Sequence, residues 1–283
     1  MTRCRTMTRY ALSPATPVLS RPDGTVQVGW DPRKAVVVRP PAGLPGSVLA
    51  ELLRALQGVA TAPQLQRLAA GHGVDAPVVD GLVAHLVTRG VVTEAPRTPV
   101  RSVAVRVHGD GPLADLLISS LRHANVRVSH STRPNASSGR PDLVVLTDYL
   151  VADPRLVRDL CDARVPHLPV RVRDGTGLVG PLVIPSVTSC LRCADLHRSD
   201  RDAAWPAIAA QLSRTVGNAD RATVLATAAL ALNEIDHIVR SLRPDHPGAV
   251  AASPETLDTT LEFDVAAGTV QARRWTRHPD CSC

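Results

Sequence analysis

Residues 103–114 read VAVRVHGDGPLA: an apolar run, a turn with two glycines, and the start of a helical pattern. Val103 to Val107 predicts a short buried strand, and the pattern after Gly111 predicts a helix to about Ala124. The same alternation repeats downstream. Strands are expected at Val126 to Val128, Leu143 to Leu146 and around Leu168 to Val172, with a helix near Pro154 to Ala163. That spacing argues for an α/β domain on a parallel sheet. The turn lies where a Rossmann-type fold cradles phosphate. Gly109 and Gly111 stand at the first two glycine positions and Ala114 at the third, a permitted variant. Two features depart from that pattern. Pro112 sits inside the turn, and the second strand continues as VRVSHSTRP (126–134), with no carboxylate for a ribose. The turn is read as a degenerate nucleotide loop, and ATP is not expected to bind.

Further along lies Cys190-Leu-Arg-Cys193, and residues 281–283 read Cys-Ser-Cys. Two close pairs offer four soft thiolates, the donor set of a closed tetrahedral zinc site with a structural role. About 88 residues separate the pairs, so a shared metal would tie the second pair back to the sheet. A redox C-x-x-C, a disulfide, and replacement of one thiolate by His197 or His278 stay open. Cys4 and Cys161 are left unpaired. From Asp220 to Leu242 a helix is expected with Leu225, Ala228, Leu232, Ile235, Val239 and Leu242 on one stripe, to be buried in the domain or against a second subunit. Asn233, Glu234 and Asp236 fall off that stripe and are expected in solvent.

Upstream the boundary is the polar stretch Glu94-Ala-Pro-Arg-Thr-Pro99, giving a flexible N-terminus over 1–15, a first domain over 16–95, a linker over 96–101 and the α/β domain over 102–283. The first domain has three extended candidates, Thr16 to Ser20, Thr25 to Trp30 and Ala35 to Arg39, split by turn residues. Three helices follow: Pro45 to Gln57, Pro63 to Ala70 and Pro77 to Arg89, each opening on a proline. The outcome is a small α+β module of winged-helix type. Its third helix, PVVDGLVAHLVTRG, has no Arg, Lys, Asn or Gln at its N-terminal end for base edges, so nucleic acid is not the expected partner.

Composition sets the outer limits. With 283 residues, 44% apolar and 20% charged, the chain can bury a sizeable core and is not disordered throughout. The longest apolar run, Thr223 to Leu232, is about half of the roughly 20 residues that a bilayer needs, so no membrane span is expected. The first residues carry arginines but no apolar signal region, which points to a cytoplasmic protein with reduced thiols. Of 32 basic residues only Lys34 is a lysine, so the α/β domain has none to act as a point charge on phosphate. The first 97 residues carry a net +5 and the rest +1, with the arginines scattered.

The order of three strands and three helices, with RPDGTVQVGW (21–30), resembles the precursor-peptide recognition element of ribosomal peptide biosynthesis. That resemblance implies strand addition of a leader peptide along Ala35, Val36, Val37 and Val38, against the helix face of Val79, Leu82, Val83 and Leu86. The strings GLVGPLVIPSVTSCLRCADLHRSDRD (177–202) and RRWTRHPDCSC (273–283) resemble the E1-like (ThiF/MoeB-type) superfamily. Within it they look like the leader-peptide-binding partners of azoline cyclodehydratases. The resemblance implies an E1-like, Rossmann-type domain with a structural zinc, and no catalytic residues of its own. It further implies a YcaO-type cyclodehydratase as partner, and it leaves room for a homodimer. An active adenylyltransferase and a winged-helix DNA binder are the rival readings.

Overall fold

The computed structural model describes residues 8–95, 102–124, 126–133, 139–242 and 253–283. The linker expected at 96–101 lies outside them. The chain divides into two compact units, residues 1–100 and 101–283.

The first unit runs β1 (Arg9–Ala11), β2 (Val18–Ser20), β3 (Val26–Val28), β4 (Val36–Val38), α1 (Gly46–Gln57), β5 (Ala60–Thr61), α2 (Ala62–Ala70), α3 (Ala76–Thr88) and β6 (Thr93–Ala95). Strands β2, β3 and β4 form one antiparallel sheet in that order, and β5, β1 and β6 form another. The second sheet corrects the sequence reading, which leaves Arg9–Ala11 in a flexible N-terminus. Three residues are too few to show a period-2 pattern, and β1 is held by pairing on both sides instead. Helix α2 starts on a capping box: Thr61 Oγ1 accepts from the Gln64 N–H at 3.4 Å, and Gln64 Oε1 accepts from the Thr61 N–H at 2.8 Å. The apolar faces of all three helices converge on one core around Leu49, Leu53, Leu65 and Leu86.

The second unit continues with β7 (Val103–His108), α4 (Pro112–Leu121), β8 (Val126–Ser131), β9 (Leu143–Thr147), α5 (Pro154–Asp162), β10 (His167–Arg173), β11 (Thr176–Val179), α6 (Leu191–Ser199), α7 (Trp205–Leu212), α8 (Arg221–Ser241), β12 (Thr259–Asp264) and β13 (Thr269–Arg274). One seven-stranded sheet takes the order β13-β12-β11-β10-β9-β7-β8. Its β10-β9-β7-β8 half is parallel, as the strand–helix alternation predicts. The other half is antiparallel and went unread in the sequence. It begins at Asp174-Gly175, both at positive φ, a two-residue reversal that returns β10 as β11.

Alternation along β9 shows how the layers form. Leu143 and Val145 pack with α4 and α8 on one face, while Val144 and Leu146 pack with α5 and the cysteines on the other. Helix α8 is long and apolar enough by composition to cross a bilayer, yet half of its apolar window is buried in this domain, where it packs on α4, β10 and β11. Ala228, Ile235 and Val239 of its expected stripe are buried, and Leu225 and Leu242 at the ends are exposed. Asn233 and Asp236 face solvent as expected, but Glu234 does not. It is fully buried, and its carboxylate accepts from the N–H (3.2 Å) and hydroxyl (2.9 Å) of Thr256. A returning segment far along the chain covers it, which helical periodicity cannot register.

Candidate functional site

Three places in the chain gather candidate residues, the first of them at the cysteines. Cys190 stands at the N-terminus of α6 and Cys193 in its first turn, both buried. Residues 281 and 283 come back to them, so that Cys190 Sγ lies 3.8 Å from Cys193 Sγ and 3.6 Å from Cys281 Sγ, with Cys193 Sγ 3.4 Å from Cys283 Sγ. A disulfide needs about 2.05 Å, so these are free thiols. A tetrahedron with metal–sulfur bonds of about 2.3 Å puts its sulfurs about 3.8 Å apart. All four sulfurs lie within 4.8 Å of one another, and they can hold a metal ion.

Electrostatics favour thiolate at one corner. Burial raises the Cys193 thiol, but hydrogen bonds from the backbone of His278 and Cys190 and from the Cys283 and Cys281 thiols together outweigh it and bring it down to about 7. Burial keeps the Cys190 and Cys283 thiols above their ordinary value. The two histidines left open as substitutes lie elsewhere, grouped with Asp200. His278 donates from Nε2 to Asp200 Oδ2 at 2.8 Å and accepts the Asp280 N–H on Nδ1 at 3.1 Å, so both ring nitrogens are engaged. His278 therefore shapes the loop that presents Cys281 and is no substitute for it. Cys161, on α5, packs beside the cluster as a fifth thiol, raised by burial.

The glycine turn comes second. Gly111 is extended and caps α4 without any side chain of its own. Pro112 brings no N–H to the first helical position. The next two N–H groups, of Leu113 and Ala114, both donate to the Asp148 carboxylate, at 3.0 and 3.2 Å. This side chain, just past β9, is 1% exposed and has its backbone at φ 69°, a conformation that Asp tolerates better than most residues. Burial pushes its carboxyl upward, against the hydrogen bonds that it accepts. The glycines are needed for this contact. A Cβ at Gly109 would run into Thr147 Oγ1, and one at Gly111 would sit 2.8 Å from the Asp148 carboxyl carbon. A helix N-terminus is a ready anion site, and here a carboxylate of the chain fills it. Sequence reasoning passed over Asp148 because Thr-Asp-Tyr carries no motif of its own.

The third place is the β2-β3-β4 sheet, where β4 is an edge. Arg21 N–H donates to Thr25 O and Gly29 N–H to Pro17 O, so the odd-numbered groups of β3 point to β2 and the even-numbered ones to β4. Pairs Val26–Val38 and Val28–Val36 are therefore the hydrogen-bonded ones, and the Val37 N–H and C=O point away from β3. The Val37 side chain is 47% exposed, whereas Val38 is buried. The N–H of Ala35 already donates to Asp31 O at 2.7 Å, which leaves Val37 as the donor along this stretch. Val79, Leu82, Val83 and Leu86 of α3 are all buried in the core of this unit, so they support the helix from beneath.

No family model matches the sequence, and no curated protein matches it. Solved structures do. The fold is shared with the heterocyclase TruD. TruD superposes with a TM-score of 0.66 at 19% identity, over 97% of this chain and 42% of its own. A heterocyclase in complex with substrate and cofactor gives 0.67 at 17% identity, over 97% and 39%. The chain thus spans about two fifths of the length of TruD and of that second heterocyclase. E. coli MccB, solved with ATP, gives 0.54 at 12% identity over 97% of this chain and 99% of its own. At these identities the likeness is one of fold.

Proposed function

We propose that the chain is a non-adenylating E1-like scaffold that binds the leader of a ribosomally made precursor peptide and presents it to a YcaO-type cyclodehydratase. The observation that carries this reading is Asp148. Its carboxylate takes the two N–H groups at the start of α4 on which a phosphate would depend, Pro112 supplies none, and the domain has no lysine. Phosphate entering there would face a buried carboxylate at hydrogen-bond range, which is strongly repulsive. Similarity in fold to two heterocyclases supports a place in the same peptide chemistry.

The peptide would add to the edge of β4. Its backbone would pair with the outward N–H and C=O of Val37, and its side chains would meet the exposed Val37 face. Zinc is the metal that suits four thiolates in a closed tetrahedron. When bound it would supply cross-linking and no reaction step: Cys190, Cys193, Cys281 and Cys283 would hold it, and His278 would fix the turn between the last two and the domain. The ATP chemistry would belong to the partner.

ATP–pyrophosphate exchange separates this reading from its rival, an active adenylyltransferase. The purified chain should stay at background, with or without precursor peptide. Exchange above background in either case would establish the rival.

A further inference from the structure

Beside the cysteine cluster lies a cavity of about 510 Å³, inside the range of small-molecule sites. Its apolar walls include Val157, Pro181 and Trp275, and its charged groups are Arg158, Arg171, Arg192, Arg198, Asp162 and Asp195. These charges are not alike. Arg198 is fully engaged, bonded to Asp195 Oδ1 at 3.0 Å and lying over the Trp205 and Trp275 rings at 4.9 and 5.3 Å. The Trp205 Nε1–H closes this arrangement on the same Asp195 oxygen at 3.2 Å. Arg173, two residues along β10, pairs with Glu262 at 3.5 Å. Arg158 and Arg192 are on the exposed rim.

Arg171 stands apart. Strand alternation sends it to the same face as α5 and α6, because Val170 and Val172 belong to the opposite core. The side chain is partly buried and lines the cavity wall. Among the described residues it has neither a hydrogen bond nor an ion pair. Arg198 and Arg173 face it with like charge, and Asp195, the one acid that does, is held by Arg198 and Trp205. The same guanidinium walls a second cavity of about 260 Å³, together with His108, Tyr149 and Arg214. A guanidinium that lines a cavity and has no partner on the protein is a counter-charge for a ligand that enters.

We propose that this cavity binds a small molecule through a carboxylate group clamped by Arg171. A single guanidinium presents a two-pronged fork that matches one carboxylate. Arg198 is held by Asp195, and Arg158 and Arg192 stand on the rim, which leaves one inward guanidinium, the complement of a monoanion. Trp275, Val157 and Pro181 would receive the apolar remainder of the ligand. The site is distinct from the β4 edge and does not depend on the peptide reading.

Thermal unfolding of the full chain, at constant ionic strength, tests it with acetate, phenylacetate and N-acetylleucine against inorganic phosphate and sulfate. At least one monocarboxylate should raise the midpoint in a saturable way, and calorimetry should show its affinity falling tenfold or more in both Arg171→Met and Arg171→Lys. Without ligand, Arg171→Met should melt no lower than wild type, since no hydrogen bond or ion pair among the described residues is lost with the guanidinium. Arg171→Lys keeps the charge and loses the fork, so it carries the test if the methionine variant fails to fold. Stabilisation by phosphate or sulfate alone would overturn the carboxylate assignment. No stabilisation by any probe, or equal stabilisation of the variants, would overturn the site.

Discussion

Asp148 and His167 are both buried at the sheet, and each is legible only once its neighbours are known. Nothing in Thr-Asp-Tyr announces a cap for a helix more than thirty residues earlier, and Pro-His-Leu reads simply as the start of a strand. His167 donates from Nδ1 to Val165 O at 3.0 Å, and its Nε2 is buried without a partner. Burial lowers its pKa to about 4 from the ordinary 6.5. The folded chain therefore keeps this imidazole neutral while the unfolded chain protonates it. Its contribution is fully present above pH 6.5 and is lost as pH falls through about 4, with roughly 2–3 kcal/mol of the loss falling between pH 7.5 and 4.5. Urea unfolding of wild type and His167→Gln at pH 7.5 and 4.5 checks this. The wild type should lose roughly that much more than the variant between the two pH values. Metal release on acidification affects both proteins alike, so parallel losses would show that His167 does not titrate as the burial implies.

Elements with a strong period were readable from the sequence, and those held by remote pairing were not. Helices α1, α2 and α3 start within a residue of the positions that their prolines and apolar steps predict, and β7 and β9 begin at their first expected residues. Strands β12 and β13 were missed because β12 buries only its first three residues and β13 none, so pairing holds them and no apolar alternation marks them. The loop at residues 275–283 is the clearest case of remote support. Trp275 donates to Thr260 Oγ1 at 2.9 Å, His278 is pinned by Asp200, and the two cysteines return to α6. If a zinc ion joins the four sulfurs, residues 281–283 are part of the folding energy of the second unit. Deleting them should release about one zinc per chain, by elemental analysis, and lower the melting of that unit by more than about 5 °C. A truncated protein that keeps a full equivalent, or a full-length protein that carries none, would remove the four-cysteine centre.

Across the whole molecule, the sequence marked out an α/β domain with paired cysteines behind a smaller α+β module. It did not reveal that three of seven strands run antiparallel, or that the phosphate turn is filled from within. The first follows from hairpins in which β11 and β12 each bury only three residues and β13 none, the second from one side chain brought over by the sheet. Together the filled turn and the open β4 edge support the proposal of a chain that holds a peptide without using ATP. The most direct test is fluorescence anisotropy of a labelled precursor peptide encoded beside this chain's gene, titrated with the full chain in nucleotide-free buffer. Val37→Pro removes the one outward N–H while leaving the bonds of Val36 and Val38 to β3 in place. Wild type should bind saturably with no ATP present, and Val37→Pro should weaken binding at least tenfold while its circular dichroism is unchanged. Binding that requires ATP, or that survives proline at Val37, would contradict the account.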